Sequence, residues 1–312
     1  MVEIFLKTLP FFAIIGLGYL AAWWKFFSRE ATVYLTKFVF YFALSAMIFQ
    51  FSAKLNLSEF LSWNFVFAYL CASVSVYCLG FVVGLMHGIP VSQAAVEAQC
   101  CTIGNVGFLG IPMLAILLGP QAIGYVMIIL AVDLIVFGSL IVLLILGSRE
   151  GKIKLSVFKT LFVGLLKNPM IMAILIGILW SISEFPLPGP LWEFVTLLGA
   201  ASTPCALFAI GASLVAKTTE RIHTAVWISF VKLVIHPVAV AVMALLIFEI
   251  DAYAASVMIV ASALPVAGNI YILAEHYRVA PQRVSASILI STIISIFSVS
   301  LVMSLAGSSI NF

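Results

Sequence analysis

Apolar residues in this chain come in long runs, and polar residues collect in the short gaps between them, with neither the period-two alternation of half-buried strands nor the mixed pattern of soluble helices. An α-helix needs roughly 17 to 25 residues to cross a bilayer. Ten runs of about that length follow one another: Val2 to Trp24, Val33 to Phe51, Phe60 to Met86, Ser92 to Leu118, Ala122 to Leu146, Asn168 to Ser183, Leu191 to Ala216, Thr224 to Phe248, Ala252 to Ala274 and Val284 to Ala306. Between the fifth and sixth, Ser156 to Lys167 is apolar with lysines at its edges, the pattern of a helix lying in the membrane interface. Asn168-Pro169 then opens the sixth run, with Asn as N-cap and Pro where a missing N–H costs nothing. The pattern predicts an all-α polytopic membrane protein of ten transmembrane helices.

The most polar connection, Gly147 to Ser156, separates five spans from five. It defines a first repeat at 1–146, a linker with the interfacial helix at 147–167, and a second repeat at 168–312. Because five is odd, the second half enters the membrane the other way up, which makes the repeats inverted. Helix breakers recur at matching places. The fourth span holds Gly104-Asn105-Val106-Gly107-Phe108-Leu109-Gly110-Ile111-Pro112, and the ninth holds Leu264-Pro265-Val266-Ala267-Gly268-Asn269. Unwound backbone at bilayer depth is tolerated only where it is buried in protein or lines a watery cavity. Paired interruptions in corresponding spans are therefore a pointer to a transporter's binding site.

Composition agrees with this reading: of 312 residues, 64% are hydrophobic and 9% charged, too few polar groups to cover a water-soluble surface. The basic excess, 15 Lys and Arg against 12 Asp and Glu, invites the question of nucleic acid as a partner, and the placement of the charges answers it. Alternate loops carry Lys25, Arg29, Lys37, Arg149, Lys152, Lys154, Lys159, Lys167, Lys217, Arg221, Arg278 and Arg283, whereas the opposite side carries Lys7 and Lys54, with Lys232 inside a span. That asymmetry places the basic loops in the cytoplasm and both termini outside, in an inner (plasma) membrane. The partner surface is lipid, not nucleic acid. The first span lacks a basic leader and a cleavage site and reads as a retained helix. Cys71, Cys78, Cys100, Cys101 and Cys205 all fall inside spans, where they act as small apolar residues and suggest neither metal nor disulfide. Asn56-Leu57-Ser58 is a glycosylation sequon in an outer loop.

Breaking two helices at the midplane exposes N–H groups at the start of one half-helix and C=O groups at the end of another, poles able to hold an anion and a cation. Asn105 and Asn269 are the polar side chains beside the breaks, with Gly107 and Gly268 permitting close approach; the plainer alternative is that these residues only pack helices together. Asp133, mid-span, costs on the order of 3 kcal/mol at that depth, so it is paired, protonated or facing water. It is the candidate for coupling to protons or sodium, or else a structural partner. Lys232 and His236 stand one turn apart ahead of Pro237 and offer positive charge to an anion or to Asp133, although Lys232 is near enough to the cytoplasmic end to snorkel. Glu97 and Glu275 lie near span ends and read as interface residues.

Asn105 to Pro112 (NVGFLGIP), Lys232 to Pro237 (KLVIHP), Ala263 to Pro265 (ALP), Ala274 to Tyr277 (AEHY) and Ile290 to Phe297 (ISTIISIF) together resemble the auxin efflux carrier family, which joins bacterial permeases, the plant PIN-formed exporters and, more distantly, bile acid symporters. The resemblance spans both halves and implies spans one, two, six and seven as a scaffold, the other six as a transport domain, and helices four and nine crossing at Pro112 and Pro265. It also implies small organic anions as cargo and a homodimer through the scaffold. Two departures stand out: Ser45 replaces a proline common among relatives, and the loop between the halves is short. The short loop makes a bacterial permease the closer comparison and auxin itself an unexpected cargo.

These residues predict a carrier of a mono- or dicarboxylate working by elevator-type alternating access, with the site at Asn105, Gly107, Pro112, Pro265, Gly268 and Asn269, joined by Lys232 and His236, and with Asp133 for coupling. No resident cofactor is called for. A channel or ligand-sensing membrane module is the alternative. An intramembrane enzyme is disfavoured: HExxH is absent, Asp133 has no second carboxylate, and only His236 could serve Ser139. In a cysteine-free background, single cysteines at Lys25 and Arg149 should resist a membrane-impermeant thiol reagent applied to intact cells, while one at Lys54 should react. Labelling of Arg149 from outside would reverse the orientation.

Overall fold

In the computed structural model the described residues are 2–54, 60–150, 155–183, 185–215 and 222–307. The Asn56 sequon and Lys152, Lys154, Lys217 and Arg221 of the basic loops lie outside them. The described chain is helical throughout: α1 (Val2–Trp23), α2 (Arg29–Ser52), α3 (Trp63–Met86), α4 (Val91–Thr102), α5 (Val106–Leu117), α6 (Ala122–Arg149), α7 (Leu155–Lys167), α8 (Pro169–Ile182), α9 (Gly189–Leu214), α10 (Ile222–Ile247), α11 (Ala252–Ser262), α12 (Gly268–Tyr277) and α13 (Pro281–Gly307). Seven of them, α1, α2, α3, α6, α9, α10 and α13, are long and apolar enough to cross a bilayer unbroken. The expected fourth and ninth spans are each two shorter helices.

Local chemistry sets the ends. Asn168 Oδ1 accepts the N–H groups of Met170 (3.0 Å) and Ile171, so α8 begins at Pro169, and α7 leaves it at 71°. Asp251 caps α11 in the same way through Tyr253 and Ala254. Ser45 stands beyond a wide turn at Val39–Ala43 and donates to the Phe40 carbonyl across it. Wide, i to i−5 turns recur in α5, α6 and α10 and matter below.

Packing sorts the helices into two groups. In one, α1 lies along the second half of α9, and α2 lies against α8 and the first half of α9. Glycines make these contacts possible: a Cβ at Gly211 would meet the Ile15 carbonyl oxygen at 1.8 Å, one at Gly18 the Phe208 oxygen at 2.1 Å, and one at Gly177 the Ser52 Cβ at 2.3 Å. Close backbone approach is how helices associate where lipid removes the hydrophobic drive. In the other group α3 packs on α4, α4 on α6, α10 on α3, α11 and α13, and α11 on α6. The broken helices belong to this second group.

Gly211→Ala should cost about 1–3 kcal/mol, the usual scale of overpacking, because the carbonyl it meets is backbone and cannot turn aside. Gly16→Ala, with open space around the new Cβ, is the matched control and should be neutral. Thermal unfolding in detergent distinguishes them; equal midpoints would show that α1 and α9 are not held at this distance.

Candidate functional site at the crossing of the broken helices

Helix α4 ends at Thr102 and α5 starts at Val106, while α11 ends at Ser262 and α12 starts at Gly268. The two interruptions run antiparallel, with Gly104 opposite Val266. Asn105 N–H donates to the Pro265 carbonyl (2.8 Å), and Ala267 N–H to the Ile103 carbonyl (3.1 Å). Val266 N–H donates to Ser291 Oγ of α13 at 3.1 Å. Each unwound segment thus supplies the partners that the other lost, which is what makes a break affordable inside an apolar bundle.

Pro265 stands at this crossing, but Pro112 does not. It lies at the start of the regular stretch Ile111–Leu117 within α5, beyond Asn105 and a wide turn in which Ile111 N–H donates to the Val106 carbonyl. The widened turn absorbs the ring and its missing N–H, so this proline needs no break. Pro237 is accommodated likewise, by a turn that closes from His236 N–H to the Val231 carbonyl, so the helix continues. A third wide turn starts at Asp133 itself, where Gly138 N–H reaches the Asp133 carbonyl. Such turns insert one residue into the helical register and are enriched at functional sites.

The charged side chains expected near the site are all buried. Asp133 Oδ1 accepts the hydroxyl of Tyr69 on α3 at 2.8 Å, and Oδ2 has no hydrogen-bond partner. One turn further along α3, Ser73 Oγ lies 3.0 Å from His236 Nε2, and His236 Nδ1 lies 3.1 Å from Lys232 Nζ. Lys232 Nζ also donates to the Ser262 carbonyl at the end of α11. An ammonium on Lys232 brings only donors; with it, Nδ1 accepts and the imidazole proton sits on Nε2, directed to Ser73. The snorkelling alternative for Lys232 is therefore overturned: its exposure is 0%, and its stem runs inward to a fixed carbonyl. Glu97 is likewise not a solvated interface residue; it is buried and paired with Arg283 of α13, whereas Glu275 is exposed.

A cavity lies beside the crossing, lined by Gly104, Asn105, Gly107, Asp133, Ala267 and Asn269, with Met170 of α8 on its far wall. Its free space is about 20 Å³, on a measure where one water needs roughly 10–15 Å³, so it holds about one water molecule in this conformation. Asn269 Oδ1 is buried without a partner. At Gly268 an added Cβ would meet nothing within 4 Å. The starts of α5 and α12 meet here, each a positive backbone pole. Of the residues singled out in the sequence, Asn105, Gly107, Asp133 and Asn269 come together around this space, with Pro265 and Gly268 in the adjoining backbone. Lys232 and His236 stand behind Gly104, and Pro112 is apart.

Sequence reasoning missed Tyr69, Ser73, Ser262 and Ser291. A signal existed for the first two, polar side chains four residues apart in an apolar run and so on one helix face. None existed for Ser262, which acts through its carbonyl.

Helices of bilayer length around a buried, charged helix crossing define a polytopic membrane protein with a polar centre. The chain belongs to the membrane transport protein family, whose model matches residues 3–303, in agreement with the resemblance to auxin efflux carriers. It is similar to a Rhizobium meliloti (strain 1021) protein named "Putative malonate transporter", at 28% identity over 96% of this chain and 94% of that protein. It is also similar to the Mus musculus "Lysosomal cholesterol signaling protein", at 23% identity over 94% of this chain; there it spans only 36% of the relative's length. The chain is thus a membrane transport protein and not an enzyme.

Tyr69→Phe removes the one donor to Asp133 Oδ1 and should lower stability by about 1–3 kcal/mol, the scale for stranding a buried polar partner. In an Asp133→Ala background the same change should cost much less, read by a double-mutant cycle on thermal unfolding. Additive costs would mean that the two side chains do not act as a pair.

Proposed function

We propose that the chain is a secondary carrier of a small organic anion, a mono- or dicarboxylate of the malonate type, working by elevator-type alternating access. The observation that carries this reading is the convergence of two helix N-termini, Asn105 and Asn269 on one cavity that Asp133 also enters. Backbone N–H poles and amide donors suit a carboxylate. The malonate-named relative, similar over nearly its whole length, supports the substrate class. Asp133, with one oxygen held by Tyr69 and the other unpartnered beside the cavity, is the group through which a proton or sodium gradient would be felt.

In this reading the membrane-length helices, α8, and the broken pairs α4/α5 and α11/α12 make ten crossings in two inverted five-helix repeats, 1–146 and 168–312. The glycine-packed group α1, α2, α8 and α9 is the scaffold and the site of homodimer contact. The remaining helices move with the cargo. A free space no larger than about one water beside the crossing is compatible with alternating access, in which no continuous path runs through the protein. The protein sits in the inner (plasma) membrane with both termini outside. A ligand-sensing role is the second reading, favoured by the signalling relative; it predicts binding without turnover.

In proteoliposomes, radiolabelled malonate and related carboxylates should accumulate under an imposed gradient. Asn105→Ala should raise KM roughly tenfold, the loss expected for a hydrogen bond to a charged group, and Asp133→Asn should abolish the response to the gradient. Accumulation of no carboxylate, with binding retained, would favour the sensor. Unchanged affinity in Asn105→Ala would move the site away from the crossing.

A further inference from the structure

The C-terminal end of α11 is the counterpart of the two N-terminal poles: its last carbonyls carry partial negative charge and point into the crossing. In carriers built on broken helices, such an end commonly coordinates the coupling cation. Here the position is filled by the chain itself. Lys232 is fully buried, its Nζ donates to the Ser262 carbonyl, and a Cβ on Gly104 would fall 3.3 Å from that Nζ, so the lysine nitrogen lies against the unwound segment of the other broken helix. His236 Nδ1 takes a second donor at 3.1 Å, and Ser73 in turn holds His236. Asp133 is near enough to interact electrostatically with Lys232. The nitrogen is thus held by a carbonyl oxygen and an imidazole nitrogen, two acceptors a monovalent cation would also seek, with the Asp133 carboxylate close enough to add its charge.

We propose that Lys232 is a resident cation occupying the carbonyl pole of α11, so that the carrier binds no sodium at the crossing, and that removing the lysine side chain uncovers a monovalent-cation site. A second cation a few ångströms from an ammonium group in a poorly screened interior meets repulsion far above thermal energy, so lysine and sodium exclude each other. The proposal rests on the carrier reading and narrows it: of the two gradients Asp133 would serve, sodium is removed, and the proton remains.

The test needs no substrate. Thermal unfolding of the purified full-length chain is followed in choline, sodium, potassium and ammonium chloride at equal ionic strength. The parent should unfold at one temperature in all four. Lys232→Ala should unfold earlier in choline and regain several degrees in sodium or ammonium chloride, with saturable dependence on concentration, as expected of a ligand that binds only the folded state. If Lys232→Ala is not recovered folded in choline, purification in sodium or ammonium chloride throughout should restore it. Selective stabilisation of the parent by sodium overturns the proposal, as does a Lys232→Ala protein indifferent to every cation or unfolded in all of them. Failure of the carrier reading would show separately, as absence of carboxylate accumulation by the parent in liposomes.

Discussion

The structure depends on one constraint: a backbone that leaves the helix inside an apolar bundle must find hydrogen-bond partners there, because neither lipid nor water will supply them. Two breaks meet that constraint by facing each other. Asn105 N–H donates to the Pro265 carbonyl and Ala267 N–H to the Ile103 carbonyl, with Gly104 opposite Val266 in an antiparallel contact, and Ser291 takes the remaining Val266 N–H. Either break alone would strand several polar groups at a penalty of several kcal/mol each. The arrangement gathers four helix ends at one point, two of each polarity.

Around it the buried side chains form a chain of dependent contacts. Tyr69 and Ser73, one turn apart on α3, hold Asp133 of α6 and His236 of α10; His236 meets Lys232, and Lys232 ties α10 to the end of α11. Charges placed in such an interior are costly unless each has a partner. Among the described residues four buried side-chain polar atoms have no hydrogen-bond partner, and two of them, Asp133 Oδ2 and Asn269 Oδ1, belong to residues that line the same small cavity. Satisfied groups rigidify a structure, and each unsatisfied one in a buried place calls for a physical explanation. The wide turns at Val106, Asp133 and Val231 help set the register of these residues, each adding one residue to its helix beside a buried polar side chain or the break.

The two helix groups differ in how they are held. Contacts among α1, α2, α8 and α9 rest on glycines that bring backbones together, at Gly18, Gly177, Gly199 and Gly211. Contacts in the other group rest more on side chains, including the Glu97–Arg283 pair between α4 and α13 and the bond from Arg149 of α6 to the Tyr277 carbonyl at the end of α12. Such ties hold the broken helices both at the crossing and at their ends.

Length and hydrophobicity of the runs determined the class, an all-helical membrane protein, because lipid accepts only segments that satisfy their own backbone. Gly104, Asn105, Pro265 and Gly268 also announced the two breaks, since glycine and proline act on the backbone locally, wherever the rest of the chain lies. Pro112 misled for a related reason: a proline can be absorbed by a widened turn, and whether it breaks the helix depends on the turn before it, which residue type does not specify. Only the tertiary structure decided that Lys232 turns inward to Ser262 instead of out to the interface, that Tyr69 and Ser73 serve Asp133 and His236, and that Glu97 finds Arg283. Each of those contacts joins residues from different helices, and a one-dimensional pattern reports the face a residue shares with its own helix but not the helix that face will meet.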